Sequence, residues 1–333
     1  MASYSHSSVV EEFRGSYFFL SNFSRHPVRW EGRRFPTAEH AFAAAKTTDP
    51  GWVERIQAAP DPRSAKALGR ECPLRPGWDG DRRRVMAEIV ASKFNHDGAL
   101  IEQLLGTGTR LLIEGNSWGD HFWGRSVQRG ARVPVGANHL GRILMQVRRG
   151  LSGRPDSAWT RVALTGHREH LIEPQDRAWV RGELRRLAVK LRDQHHTEVA
   201  ASGLATGSDQ WWAAAAIDAG LDVWGYQPFP GQAANWSPDQ QVDHTNIVAA
   251  AARLVLVSER YDTCAFQLRN QLLLGDADAI IAVHDRRITQ GGTVSALRSY
   301  AQGMPVITVD PATRTTTLRT VYRTTDSAVP PTL

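Results

Sequence analysis

A chain of 333 residues, 41% hydrophobic and 22% charged, has the apolar content for two cores of ordinary domain size, which excludes a disordered or fibrous protein. A formal net charge of +6 suits phosphate-bearing partners but falls short of the charge density of a dedicated DNA-binding domain. Two distant cysteines exclude a disulfide framework or a CxxC metal pattern.

In the first half, strand-like pieces are predicted at Tyr17–Leu20, Val28–Trp30 and Leu111–Glu114. Thr37 is placed to cap a helix running through Lys46, and two more helices are predicted over about 81–95 and 138–149. The result is a helix-rich α+β unit over 11–151. Ser152, Gly153, Pro155 and Asp156 then interrupt the periodicity, giving a linker at 152–159. Beyond it, strands at 161–165, 197–201, 221–226, 253–257, 278–283 and 305–309 alternate with helices at 173–193, 208–219, 239–251, 265–274 and 293–302. Such alternation predicts a Rossmann-like, doubly wound parallel sheet of α/β class over 160–312. From Pro311 the chain is rich in Thr and Pro, and 313–333 reads as a flexible tail.

The opening MASYSHSSVVEEF lacks the basic and then apolar pattern of a secretory signal. No apolar run approaches the roughly 20 residues of a membrane span. A cytoplasmic protein with no membrane partner is expected. His167 and the pair His195-His196 lack ligand spacing, so no metal is expected, and no motif demands a cofactor.

Three clusters in the first half are more polar and aromatic than packing requires: FFLSNF at 18–23, PTAEH at 36–40 running on to Lys46, and EGNSWGDHFWG at 114–124. Glu39 falls in a first helical turn, where the helix dipole favours a carboxylate whatever its role. Lys46, seven residues on, shares its helix face. Asp120 lies in a Gly-flanked aromatic loop and reads equally as a turn residue. Carboxylates on separate elements are what glycosidic cleavage needs, one for water or the cationic sugar carbon and one for the leaving base. Spacing alone does not bring Glu39 and Asp120 together. Eleven tryptophans, several beside polar residues, offer stacking faces or amphipathic core edges.

FLSNF, TAEHAFAAAK, SAKALGR, PLRPGW, VMAEIVASKF, WGDHFWG and NHLGRILMQVR follow one another in an order that resembles the NADAR (YbiA-like) family over about 11–150. The resemblance implies an N-glycosidase that hydrolyses the ribose–base bond of ribosylated nucleobases. Family members act on ribosylamino intermediates of riboflavin synthesis or remove ADP-ribose from guanine. Carried over by position, it implies Glu39 and Asp120 as catalytic and Trp78 as a stacking face for the base. Lys46 also matches, as a phosphate ligand or an amine nucleophile. Asn22, Arg70 and Trp123 are further pocket residues, although Asn22 also suits a turn and Trp123 a core. The chain departs from riboflavin-type members in having Ala38 where they carry Ser. After the WG block it has Arg125-Ser126-Val127-Gln128-Arg129 in place of a Gly- and Lys-rich stretch. These departures bear on the substrate and leave the reaction type alone.

In the second half, strands end in Thr165-Gly166-His167-Arg168 and in SGLATGSD at 202–209, and Gln290-Gly291-Gly292-Thr293 opens a later helix. Glycines at strand-to-helix turns let backbone N–H groups approach a phosphate, and turns at the carboxyl ends of one sheet converge on one crevice. They are also ordinary tight turns. These stretches resemble the SLOG (DprA- and LOG-like) superfamily, which implies binding of a nucleotide or NAD-derived ligand. Gly166, Arg168, Gly203, Gly207, Ser208, Asp209, Gly291, Gly292 and Thr293 are the contacts so implied. Ser295-Ala296-Leu297 stand where the LOG-type Glu is sought, which argues against catalysis there.

The expected substrate is a ribosylated or ADP-ribosylated base, free or in nucleic acid. Reversal of guanine ADP-ribosylation, in a defence setting, is the specific expectation. Alternatives are ribosylamino-pyrimidine phosphates or a non-enzymatic sensor of nucleotide derivatives. A homo-oligomer is compatible with either.

Overall fold

The computed structural model describes residues 8–320, which form two compact units. The first runs to Ser126 and resumes over Gly136–Asp156; the second holds Val127–Val135 and the described chain from Ser157. Residues 127–135 count with the second unit because Arg132 N–H donates to the Val257 carbonyl at 2.7 Å and Ala131 bridges Ser258.

The first unit is helical with small sheets at its margins. Its elements in chain order are β1 (Val9–Val10), a 3-10 turn (Gly15–Leu20), β2 (Val28–Trp30), β3 (Arg33–Phe35) and α1 (Ala38–Ala44). They continue with α2 (Pro50–Gln57), α3 (Pro62–Glu71), α4 (Trp78–Lys93), α5 (Gly98–Leu105), β4 (Leu111–Leu112) and α6 (His139–Leu151). β2 and β3 make a hairpin whose turn, Glu31-Gly32, takes positive φ at both residues, the conformation that matches strand twist. β1 lies parallel to β4.

Tyr17–Leu20 is helical and not a strand. Tyr17 and Ser21 donate three residues back, to Arg14 and Phe18, and Phe19 and Leu20 are both buried, so the alternating pattern of a strand never forms. The short helices α2 and α3 were not expected from periodicity. Each begins Asp-Pro, with Asp49 and Asp61 capping free amides and proline at the first helical position.

The second unit is built on a parallel sheet. Its elements are β5 (Arg161–Gly166), a 3-10 turn (Glu169–Leu171), α7 (Pro174–His195), β6 (Val199–Ser202), α8 (Ser208–Asp218) and β7 (Asp222–Gln227). Then come α9 (Pro238–Ala250), β8 (Arg253–Leu256), α10 (Thr263–Gly275), β9 (Ala279–Val283), α11 (Gly292–Tyr300), β10 (Pro305–Asp310) and β11 (Thr315–Thr320). The strand order is β11-β10-β9-β5-β6-β7-β8, parallel except for β11. The chain therefore reverses its direction of travel across the sheet between β5 and β9, the switch point at which such sheets hold ligands. β5 and β9 are buried along nearly their whole length, as strands covered on both faces must be. Trp212, Leu184, Leu164 and Ile281 share one core.

Residues 315–320 form an edge strand where a flexible tail was expected. β-branched threonines suit an extended edge, and Arg314, at φ 50°, turns the chain back so that Thr315 pairs with Asp310. The rest of that expected tail, 321–333, lies outside the described residues. Among the described residues no helix is long and apolar enough to cross a membrane, and no cluster of His, Cys, Asp or Glu could hold a metal.

Candidate active site

Helix α1 starts where sequence chemistry dictates. The Thr37 hydroxyl accepts the His40 N–H at 3.3 Å, and His40, buried and held neutral chiefly by desolvation, links Thr37 to the Ala59 carbonyl. His40 is thus a pin for the helix start. Its neighbour Glu39 donates its backbone N–H to the Asn22 carbonyl at 3.0 Å, and its buried side chain enters a cavity of about 680 Å³ within the first unit.

That cavity gathers Asn22, Glu39, Lys46, Arg70, Asp120 and Trp123 from four separate stretches of chain. Trp78 is the exception. Its ring is buried, 5.2 Å from the Phe42 ring and within 6.0 Å of the Arg75 guanidinium, so it backs a lining residue and is not itself among those lining the cavity. Phe42 and Trp123 meet edge to face at 5.2 Å, making one apolar wall.

Helix α3 supplies a cationic wall. Arg63, Lys66, Ala67 and Arg70 stand at positions i, i+3, i+4 and i+7 and face the cavity together. On its other face Gly69 lets α3 press on α1: a Cβ there would lie 2.7 Å from that of Ala43. The same closeness lets Lys46 Nζ donate to the Gly69 carbonyl at 3.0 Å.

The loop after β4 supplies acid groups. Asn138, at φ 51°, accepts the Glu114 N–H through Oδ1 at 3.0 Å and donates through Nδ2 to Leu112 at 2.8 Å. Asn116 brackets the backbone of Asp120, and Asp120 Oδ1 accepts the N–H groups of Phe122 and Trp123 at 3.0 and 2.8 Å. Asp120 is therefore a turn residue and a cavity residue at once.

Burial raises the Glu39 carboxyl above its ordinary range, against the pull of Lys66, Lys46 and Arg70 and reinforced by Asp120. Glu114 is pushed up to about 8 by burial and by the charges of Asp120 and Glu39, with Lys66 alone opposing. Burial lowers Lys46, with Glu39 the main group holding it up. Two acceptors in the cavity, Asn22 Oδ1 and Glu114 Oε2, are buried without a hydrogen-bond partner among the described residues. Such groups are costly unless a ligand satisfies them.

Glu114, Lys66 and Trp118 lie in stretches the sequence singled out, and Arg63 stands just before one, yet none received a role there. For Lys66 and Arg63 a signal existed, the helical spacing to Arg70. For Glu114 the only signal was its place in the polar cluster at 114–124, because its backbone is fixed by Asn138, which accepts its N–H from the start of a distant helix.

In the second unit, the turns after β5 and β6 are filled by the chain itself. A Cβ at Gly166 would meet Ser208 at 2.7 Å, one at Gly203 would overlap the Arg269 guanidinium, and one at Gly207 would meet the Glu169 N–H at 2.3 Å. Ser208 Oγ donates to the His167 carbonyl at 2.7 Å, and Asp209 faces Arg269 at 3.5 Å, both buried. At the switch point the Asp285 N–H donates to His167 Nε2 at 3.0 Å, next to half-buried Arg168. The third turn differs: Gly291 and Gly292 are exposed, with no atom within 4 Å of an added Cβ, while Thr293 is buried.

Residues 10–152 match the NADAR domain. Over 138 residues the chain is 33% identical to N-glycosidase YbiA of Escherichia coli, covering 41% of this chain and 82% of that protein. It is 32% identical over 192 residues to a riboflavin biosynthesis protein of Vibrio vulnificus, covering 53% of this chain and 51% of that one. The solved NMR structure of E. coli YbiA aligns with 44% of this chain and 90% of its own at 30% identity, with a TM-score of 0.38. The chain belongs to the NADAR domain family and is an N-glycosidase.

Proposed function

We propose that the first unit hydrolyses the ribose–base bond of an ADP-ribosylated guanine, free or in nucleic acid. The observation that carries this reading is a buried carboxyl, Glu39, sharing one cavity with a second carboxyl of raised pKa and a wall of lysine and arginine. Burial raises both carboxyls, but three cations oppose the rise at Glu39 and one at Glu114, so this reading gives Glu39 the part of the base and Glu114 that of the acid. Water attacks the anomeric carbon and gives a proton to Glu39. The carbon–nitrogen bond breaks toward the base, whose nitrogen takes the proton of Glu114. Solvent then returns the proton from Glu39 to Glu114. In this reading Asp120 and Asn22 hold sugar hydroxyls, and Arg63, Lys66 and Arg70 hold the diphosphate of an ADP-ribosyl group; that all five line one cavity supports it.

The lowered Lys46 amine favours a second route, in which its neutral form attacks the anomeric carbon and displaces the base, whose nitrogen takes the proton of Glu114 while the new ammonium gives one to Glu39; the ring carbon–oxygen bond of this glycosylamine then opens to an imine, which water hydrolyses to free the amine. Borohydride trapping of a protein–sugar adduct, lost in Lys46→Met, separates the two. The test of the reaction is release of guanine from ADP-ribosylated guanine, followed by mass spectrometry. No release by the wild type, or equal release by Glu39→Ala, sinks the reading.

The riboflavin biosynthesis relative supports ribosylamino-pyrimidine phosphates as the second substrate class, to be assayed alongside. For the second unit the open Gly291-Gly292 turn at the start of α11 supports binding of a nucleotide or NAD-derived ligand through backbone N–H groups. Calorimetry with ADP-ribose, comparing wild type with Gly292→Val, tests it.

A further inference from the structure

A second cavity of about 590 Å³ in the first unit lies outside the site described above. It is lined by His26, Arg29, Arg34, Lys93 and His96, with Asp97 as the one acid. The segments that converge there are the approach to β2, the β2–β3 hairpin, and the end of α4 with the turn that leads into α5.

Lys93 is the unusual member. It is 3% exposed, and its ammonium donates to the Ser21 carbonyl at 2.8 Å. Among the described residues no carboxylate pairs with it. Asp97 is already engaged, capping α5 through the amides of Ala99 and Leu100. A buried ammonium held by one carbonyl and lying 5.3 Å from the Phe94 ring centroid has donors to spare and no counter-charge, which costs stability unless something compensates it. Half-buried His26 faces the same charge, and exposed Arg29, Arg34 and His96 add to the positive potential.

We propose that this cavity is a phosphate-binding site, with Lys93 as its buried anchor and Arg29 and Arg34 as its outer clamp. The phosphate belongs either to a nucleic-acid strand or to a free phosphate ester; both present the same tetrahedral oxyanion. The chemistry fits closely, since point-charge lysine and forked arginines are the usual phosphate ligands. Burial alone pushes Lys93 down to about 7, so occupation by an anion would draw a proton onto it.

The full chain, titrated with inorganic phosphate and followed by imidazole NMR shifts of His26 and His96, should show saturable binding. Lys93→Met should weaken it at least about tenfold, the loss of one charge-assisted contact. Arg29→Ser with Arg34→Ser, both exposed and safe for folding, should weaken it several-fold. Calorimetry at pH 8 in two buffers of different ionisation enthalpy should show proton uptake in the wild type and none in Lys93→Met. No saturable shift through the millimolar range, or equal affinity in wild type and both variants, overturns the proposal. Competition identifies the source. A short single-stranded oligodeoxynucleotide displacing phosphate better than AMP assigns a strand, and the reverse assigns a free ester.

Discussion

The backbone N–H of Glu39 donates to the Asn22 carbonyl at 3.0 Å, while the Asn22 side-chain oxygen stays buried and unpartnered in the same cavity. The main chain of Asn22 thus positions the carboxyl, its side-chain amide donates to Met86 Sδ at 3.3 Å, and its side-chain oxygen is left for a ligand. Asn22→Ala keeps the first of these and removes the other two. Its kcat/KM should fall about 10- to 100-fold, the usual worth of one preorganised polar contact. The lost oxygen was unsatisfied and the lost amide gives up only a contact to Met86 Sδ at 3.3 Å, so the denaturation midpoint should fall little. A large loss of stability with unchanged turnover would make Asn22 structural.

The pH profile turns on Glu114. Its folded pKa of about 8 lies above the ordinary 4.5, so the native state holds a proton that the unfolded chain has released. That stabilisation is fully present below about 4.5 and is lost as pH rises to about 8. Glu114→Gln should flatten the decline in stability across this window. Activity of the wild type should also fall as pH passes about 8, when the proton donor is lost, and kcat in Glu114→Gln should be low at every pH. A wild-type profile flat through pH 9 would remove Glu114 as the acid.

The parallel sheet was legible because each strand–helix alternation carries its own periodicity, and nearly every strand of the second unit was placed to within two residues. The first unit was less legible. α2 and α3 are too short for apolar period to speak, although the Asp-Pro starts at Asp49 and Asp61 announce them. Tyr17–Leu20 looked like a strand because aromatics favour strands, but among the described residues no strand pairs with it. Glu39, Lys46 and Asp120 were visible only through ordered motifs. Their meeting depends on Gly69 against Ala43 and on Asn138 holding Glu114, contacts between residues tens of positions apart.

The two tryptophans proposed or passed over for base stacking can be told apart. Trp78 is buried against Phe42, whereas Trp118 is 60% exposed at the cavity margin, beside Lys66. Trp78→Ala should cost about 3–5 kcal/mol of stability, as deletion of a buried aromatic does. Trp118→Ala should leave stability within about 0.5 kcal/mol and raise KM, with kcat less affected, as loss of a stacking surface would. The opposite pattern would return the stacking role to Trp78.

In the second unit Asp209 was expected to touch a nucleotide, yet its carboxylate faces Arg269 at 3.5 Å with both groups buried. Burial raises the Asp209 carboxyl and lowers the Arg269 guanidinium, each restrained by the other. Arg269 also fills the space beside Gly203, and its Nε has no partner among the described residues. Removing one partner of such a pair strands the other charge. Asp209→Ala should therefore destabilise the unit by about 3–5 kcal/mol, while Asp209→Ala combined with Arg269→Met should recover most of that loss. Urea denaturation of the three proteins reads this directly. If Asp209 instead contacts ligand, Asp209→Ala would fold normally and lose ADP-ribose affinity, and the double variant would offer no rescue. The burial of both groups favours the first outcome, with ligand contact left to the open turn at Gly291 and Gly292.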